Sequence, residues 1–356
     1  MLNRPTFQNK RTPMNKKLPF AAALCACAFA TAHAQSSVTL YGFIDSGIVS
    51  ASNVYDKATG TSGTMLALGD GISWGTSRFG LKGREDLGGG LSAIYTLESG
   101  FDVPNGRFAG TGIFNRGAFV GLQSERLGTL TIGRQWNLSD GTMVGPFFRG
   151  GYNLSVFRLT GFDEVSDLVD NAVKYQSPDW DGLRASGLYG FGNVPGSVAS
   201  NSVYEAALSY ASGPLNLGAV YHHRHDALAP FSSELWELGA NYSFGRVRVR
   251  LGFGNSGYPD ANGAALHAAV YDLGMDYYAT GALTLSADAI YRKQFGTDDS
   301  AVAGRFTADY SLSKQTGVFA NLGLLKNRHN SAESFYGDGL AGQSQVVANV
   351  GIRHAF

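Results

Sequence analysis

The chain has 356 residues, with 28 Lys and Arg against 28 Asp and Glu. That balance lacks the basic excess of a nucleic-acid binder. The 48 Gly come with 22 Phe and 17 Tyr, which excludes a low-complexity disordered chain, since such chains are poor in aromatics.

Arg11, Lys16 and Lys17 precede an apolar run from Leu18 to Ala32, which ends in Ala32-His33-Ala34, a small-x-small cleavage site. This is the layout of a secretory signal peptide over residues 1–34, cleaved after Ala34. Met14 offers a second start, because MNKKLPFAAAL already carries a complete n-region. The run is short for a bilayer span, and no second apolar run of spanning length follows. Leu24-Cys25-Ala26-Cys27 comes close to a lipobox, but the apolar run continues past Cys27. Cleavage removes both cysteines, Cys25 and Cys27. It also removes five basic residues and no acidic ones, leaving 23 basic against 28 acidic. A chain without disulfides is unlike a small secreted scaffold. A large closed sheet needs none, because its hydrogen-bond ladders hold it.

From Val38 onward, segments of period 2 recur to the end of the chain. They run 38–49, 77–86, 91–99, 114–123, 129–135, 170–176, 183–191, 202–211, 215–223, 234–244, 246–254, 267–278, 282–292, 305–310, 316–325 and 344–356. Sixteen strands are predicted. Their connections alternate between short turns rich in Gly, Pro, Asp and Ser and long polar ones, such as 51–73, 136–169 and 326–343. A soluble meander has no reason to place every long loop at one end. A barrel in an outer membrane does, and an even count of sixteen leaves an aqueous lumen. The expected fold class is therefore all-β, a 16-stranded antiparallel transmembrane barrel forming one domain over residues 35–356.

Alternation also sorts the faces. Leu283, Leu285, Ala287, Ala289 and Tyr291 share one face, and Thr284, Ser286 and Asp288 the other. In RVRVRLGFG, Arg246, Arg248 and Arg250 alternate with Val247, Val249 and Leu251. An arginine facing lipid near the midplane costs roughly 2–4 kcal/mol, so the arginines are expected to face a wet lumen as a secondary, hydrated stripe.

By sequence, SSVTLYGFIDSG (36–47), SRFGLKGREDLGGGL (77–91), NRGAFVGLQSERLGTLTIGRQ (115–135), DNAVKYQSPDWDGL (170–183) and VGIRHAF (350–356) resemble the general porins of Gram-negative bacteria, with the closest likeness to the β-proteobacterial type. The resemblance covers the whole mature length. It implies a homotrimer in the outer membrane, passing small hydrophilic solutes by diffusion without a cofactor. Its partners would be outer-membrane lipid, lipopolysaccharide and, during biogenesis, the barrel-assembly machinery, with Phe356 as the terminal assembly signal. It further implies that loop 136–169 folds into the lumen as a constriction carrying Asp163, Glu164 and Asp167, with Asp170 at its end. Opposite would stand a basic wall of Arg78, Lys82, Arg116 and Arg134. Arg78 and Lys82 lie out of phase with Phe79 and Leu81, as a lumen position requires; Arg116 shares the phase of Ala118, Val120 and Leu122. A charge ring in a narrow pore sets ion preference.

Rival readings are a channel of the same fold dedicated to organic anions, sugars or amino acids, and an adhesin or receptor barrel. An enzyme is disfavoured. Gly252–Gly257 spells G-x-G-x-x-G, but Tyr258-Pro259-Asp260 follows where a helix should open. His223 and His225 share a strand face and His222 does not, so a three-His metal site would need a bulge; no metal is expected there. The mature protein should begin at Gln35. Edman sequencing of membrane-extracted protein checks this, and a blocked, lipidated Cys27 would overturn it.

Overall fold

The computed structural model describes residues 37–73, 75–148, 168–226, 232–259 and 265–356. The expected signal peptide and the loop acids Asp163, Glu164 and Asp167 lie outside the described residues. In chain order the elements are β1 (Ser37–Asp56), β2 (Thr61–Asp70), β3 (Arg78–Gly88), β4 (Leu91–Gly100), β5 (Gly117–Ser124), β6 (Gly128–Trp136) and the short helix α1 (Leu138–Met143). There follow β7 (Leu168–Gln176), β8 (Leu183–Gly190), β9 (Val203–Ser212), β10 (Leu215–His225), β11 (Ser232–Phe244), β12 (Val247–Pro259), β13 (Ala265–Tyr278), β14 (Leu283–Phe295), β15 (Ser300–Ser311), β16 (Thr316–Arg328) and β17 (Ser344–Ala355). Sequence neighbours pair antiparallel except β2 and β3, which both pair with β1, and Phe43–Ala51 of β1 pairs with Ala355–Val347 of β17, closing the sheet.

Seventeen strands make sixteen staves. β2 and β3 pair with successive halves of β1, Ser46–Asp56 and Ser37–Phe43. They are one stave interrupted at 71–77. The break is held by carboxylates: Asp70 accepts from the Ser77 N–H at 2.9 Å and its hydroxyl at 2.6 Å. Asp45 does the same for Ser73, at 2.9 and 2.6 Å. This corrects the expectation that 51–73 is a long loop. β1 runs on to Asp56 and returns as β2, and the Ser, Thr, Gly and Asp content of this hairpin hid its alternation.

Outward positions carry the large apolar side chains, among them Leu217, Leu238, Leu251, Leu273, Leu285 and Leu322, all exposed on the isolated chain. Lipid is the solvent such a face requires. Phe356 follows β17, exchanges backbone hydrogen bonds with Gly42 at 2.9 and 3.0 Å, and lays its ring where a Cβ on Gly42 would stand.

Apolar contacts inside the barrel come from chain segments turned against its wall. Ile72 lies beside Gly47 and Gly69, and Phe335 is buried near the mouth. Another such segment is 137–148. Asn137 caps α1, its Oδ1 accepting the Asp140 N–H at 2.7 Å. The Leu138 N–H donates to Glu205 at 2.5 Å and the Ser139 hydroxyl to Glu237, which fixes the first turn to β9 and β11. Phe147 then rests on Gly218 and Gly239, and Phe148 on Gly252; a Cβ at Gly239 would stand 2.3 Å from the Phe147 ring. Asn241 donates to the Pro146 carbonyl at 2.9 Å.

Under these rings lies an ion network. Arg250 donates to Asp276 at 3.1 Å, to Asp288 at 2.7 Å and to the Phe147 carbonyl at 3.0 Å. Arg305 donates to Asp288 at 3.1 Å, and Arg248 pairs with Asp276 at 2.7 Å. Two features differ from the expected stripe. Arg246 precedes β12, in the turn, and donates to the Ala279 carbonyl at 3.3 Å. Arg250 is 0% exposed, so it is a buried cation rather than a hydrated one. The cause is the covering segment: Phe147 and Phe148 exclude water from the wall behind them.

Removing one member of a buried ion pair costs about 3–5 kcal/mol, because the partner charge stays behind. Arg250→Leu should fall near the lower end, since Arg248 and Arg305 still hold the two aspartates. Arg248→Ser, at a partly exposed pair, should cost no more than about 1 kcal/mol. Guanidinium unfolding in detergent micelles, followed by tryptophan fluorescence, checks the order. Equal and small effects would refute it.

Candidate functional site

Opposite the covered wall, β1, β3 and β4 bring a different set of charges together. Arg78 and Lys82 point inward from β3, and register sets Gly80, between them, opposite Glu98 of β4. Glu98 receives a hydrogen bond from Tyr41 at 2.9 Å and another from Arg116 at 2.9 Å, with Arg78 at 3.9 Å. Arg78 lies over the Phe43 ring at 5.0 Å, Lys82 over Tyr41 at 5.2 Å and Arg116 over Trp136 at 4.7 Å. An aromatic face holds a cation without neutralising it.

Arg116 joins this group although its phase matches the outward Val120 and Leu122. It lies in the turn before β5, so strand parity does not govern it. Arg134 is not brought to the group. Register places it opposite Ala118, in phase with the outward Ile132 and Val120. Its guanidinium bridges the Asn115 carbonyl at 2.9 Å and Asp170 at 2.5 Å, beside a register shift between β6 and β7. The motif that suggested a basic-wall role carries no face information across an irregular strand end.

The described acid that answers the cations is Asp140, at the third position of α1. Burial against the wall raises its carboxyl above the ordinary carboxylate range, while Arg116, Lys174 and Arg78 pull it down. Lys174 also donates to the Trp136 carbonyl at 3.0 Å. Sequence reasoning missed Glu98, Tyr41, Asp140 and Lys174. Two of these had a signal. Glu98 follows from pairing β3 with β4 across the tight turn at 88–91. Asp140 follows from Asn137-x-x-Asp140, an N-cap followed by an acid at N3.

Beside the covered wall lies a cavity of about 510 Å³, bounded by Pro146, Phe148, Ser73, Arg248, Arg305 and Asn321. A larger apolar concavity of about 780 Å³ follows the outward Leu208, Leu217, Leu238 and Leu251, on the lipid side, and is no part of the site. Among the described residues, no cluster of three or more His, Cys, Asp or Glu could hold a metal ion.

The Gram-negative porin family model matches residues 21–330. An outer membrane porin protein of Bordetella pertussis is 31% identical, covering 96% of this chain and 100% of that protein. Outer membrane porin protein 32 of Delftia acidovorans is 30% identical, with the same coverage of 96% and 100%. An anion-selective porin from Comamonas acidovorans, known as a solved structure, is 27% identical and superposes with a TM-score of 0.75 over 90% of this chain and 100% of that one. A matching barrel alone would establish only the fold, but the family match over most of the length, with charges facing a polar interior and leucines facing lipid, establishes more: the chain belongs to the Gram-negative porin family.

Proposed function

We propose that the mature chain, from Gln35, assembles as a homotrimer whose pores prefer anions, with loop 136–169 forming the constriction and Arg78, Lys82 and Arg116 its basic wall. The protein is a porin of the outer membrane, a channel for passive diffusion of small hydrophilic solutes and ions. The family is one of channels rather than enzymes. One observation carries the anion preference. On the covered wall, Arg248, Arg250, Arg305 and Arg353 are each paired with Asp276, Asp288 or Asp309. On the opposite wall, Glu98 and Asp140 are the described acids that answer Arg78 and Arg116, and Lys82 rests on a ring rather than a carboxylate. Among the described residues of that wall, Arg78, Lys82 and Arg116 outnumber Glu98 and Asp140, and a charge of one sign in a narrow pore raises the local concentration of the other. The solved Comamonas acidovorans relative, an anion-selective porin, supports this reading.

Reversal potential in planar bilayers under a KCl gradient tests it. Wild type should favour chloride. Arg78→Ser and Arg116→Ser should each lower the chloride-to-potassium ratio by about fivefold, on the order of 1 kcal/mol for one charge in a wet pore. Protonation of Asp140 removes a negative charge from the passage, so chloride preference should rise as pH falls. Because burial raises that carboxyl, the rise should come at a less acidic pH than for an ordinary aspartate, and Asp140→Asn should abolish it. A cation-selective wild type would overturn the assignment. Assembly is checked separately: unheated protein should run as an oligomer in detergent gels and collapse to a monomer band on boiling. A single monomer band in both lanes would refute the trimer.

A further inference from the structure

The outer face carries one group of chemistry-bearing side chains that diffusion through the pore does not use. At the end of β10, Tyr221, His223 and His225 lie in one phase. Register sets Tyr204 of β9 opposite His223, Glu234 of β11 opposite His223, and Trp236 opposite Tyr221. The phase is the outward one, shared with the exposed Leu217 and Trp236. His223 stacks on Tyr204, with centroids 4.6 Å apart, and the rings of His223 and His225 meet edge to face at 4.5 Å.

The nitrogens of the two rings are used unequally. His223 Nδ1 faces Glu234 Oε1 at 3.1 Å and the Tyr221 hydroxyl at 3.3 Å. His225 Nδ1 faces the Ser202 hydroxyl at 3.4 Å. His223 Nε2 is buried and has no hydrogen-bond partner, and the residue is only 7% exposed. A carboxylate on Nδ1 fixes the tautomer that leaves Nε2 as a bare lone pair, which is the arrangement that orients imidazoles toward a metal. A buried ring nitrogen without a partner is itself unfavourable, and a metal ion would satisfy it.

We propose that His223 and His225 form a surface site for a divalent transition-metal ion, bound through their two Nε2 atoms. Their i, i+2 spacing on one strand face brings both rings to the same side, and Glu234 serves as the orienting partner of His223. Imidazole donors select Zn²⁺, Cu²⁺ or Ni²⁺ over Mg²⁺ and Ca²⁺, which prefer oxygen. With two protein ligands, water completes the shell. His222 does not join. It points to the lumen side and is bound to Glu205 at 2.7 Å. The site stands on the outer face, so its occupancy should leave ion flow through the lumen unchanged.

The test is titration of untagged, detergent-solubilised full-length trimer or monomer with ZnCl₂ by calorimetry, with MgCl₂ as control. One Zn²⁺ per chain is expected. Binding should be lost in His223→Ala and in His225→Ala, weakened 10–100-fold in Glu234→Gln, and retained in His354→Ala. Single-channel conductance of the His225→Ala protein should match wild type. Should a variant fail to fold, electron paramagnetic resonance of wild type loaded with one equivalent of Cu²⁺ decides. Coupling to two imidazole nitrogens supports the site, and coupling to none overturns it. Equal Zn²⁺ affinity in wild type and the His223→Ala, His225→Ala double variant would also overturn it.

Discussion

The pairing of β1 with β17 is the constraint on which the rest depends. A backbone N–H or C=O facing hydrocarbon without a partner costs several kcal/mol, so a sheet in a bilayer has no tolerable edge. Nine consecutive residue pairs, Phe43 with Ala355 through Ala51 with Val347, remove the last one, and Phe356 extends the ladder by bonding Gly42. Once the sheet closes, period 2 leaves no choice of solvent. Every second side chain meets lipid and every other one meets the interior. The apolar side chains of β12 to β16 therefore sort outward, and Arg248, Arg250, Arg305, Asp276 and Asp288 are gathered inside whether or not a pore needs them there.

What the interior does with those charges depends on what covers them. Along β10 to β12 the covering segment carries Phe147 and Phe148, and the glycines beneath let the rings lie almost on the backbone. Water is excluded, and isolated charges would be strongly unfavourable there. The wall answers by pairing Arg248, Arg250 and Arg305 with Asp276 and Asp288, and Arg250 adds the Phe147 carbonyl, so the ion network and the covering segment hold one another. On the opposite wall, Arg78 and Lys82 lie against the Phe43 and Tyr41 rings of β1, with no described segment packed over them. They remain hydrated beside aromatic rings, and a cation need not be neutralised where water can solvate it. One barrel thus contains two electrostatic regimes, separated by the position of a single connecting segment.

This division explains what could be read from the sequence. Strand count, closure and facing are properties of period 2, and RVRVRLGFG shows its inward and outward sides without any structure. Burial of Arg250 is not visible in the same letters, because it depends on Phe147, 103 residues away, and on Asp288, 38 residues away. Arg116 joins the basic group against its strand phase because it lies in a turn, where parity does not hold, whereas Arg134 keeps the outward phase of Ile132 and stands apart from the group that its motif suggested. The hairpin of β1 and β2 was hidden differently: its residues are turn formers by composition, and only pairing against a long β1 makes them strand.

The histidines at the end of β10 illustrate the same rule from the lipid side. His222 and His223 are adjacent, yet one bonds a carboxylate in the interior and the other stacks on an aromatic ring outside. Glu205 and Glu234, their respective partners, sit on the two neighbouring strands. A polar cluster on an outward face is unfavourable in hydrocarbon, so its place is the boundary, where tyrosine and tryptophan rings tolerate both apolar and wet surroundings. Tyr204, Tyr221 and Trp236 supply such a surround. Within it, a carboxylate facing one imidazole nitrogen leaves the other with no hydrogen-bond partner. The strand alternation that makes a pore inside therefore also makes, one residue over, a desolvated nitrogen outside whose natural complement is a soft cation rather than a proton donor from solvent.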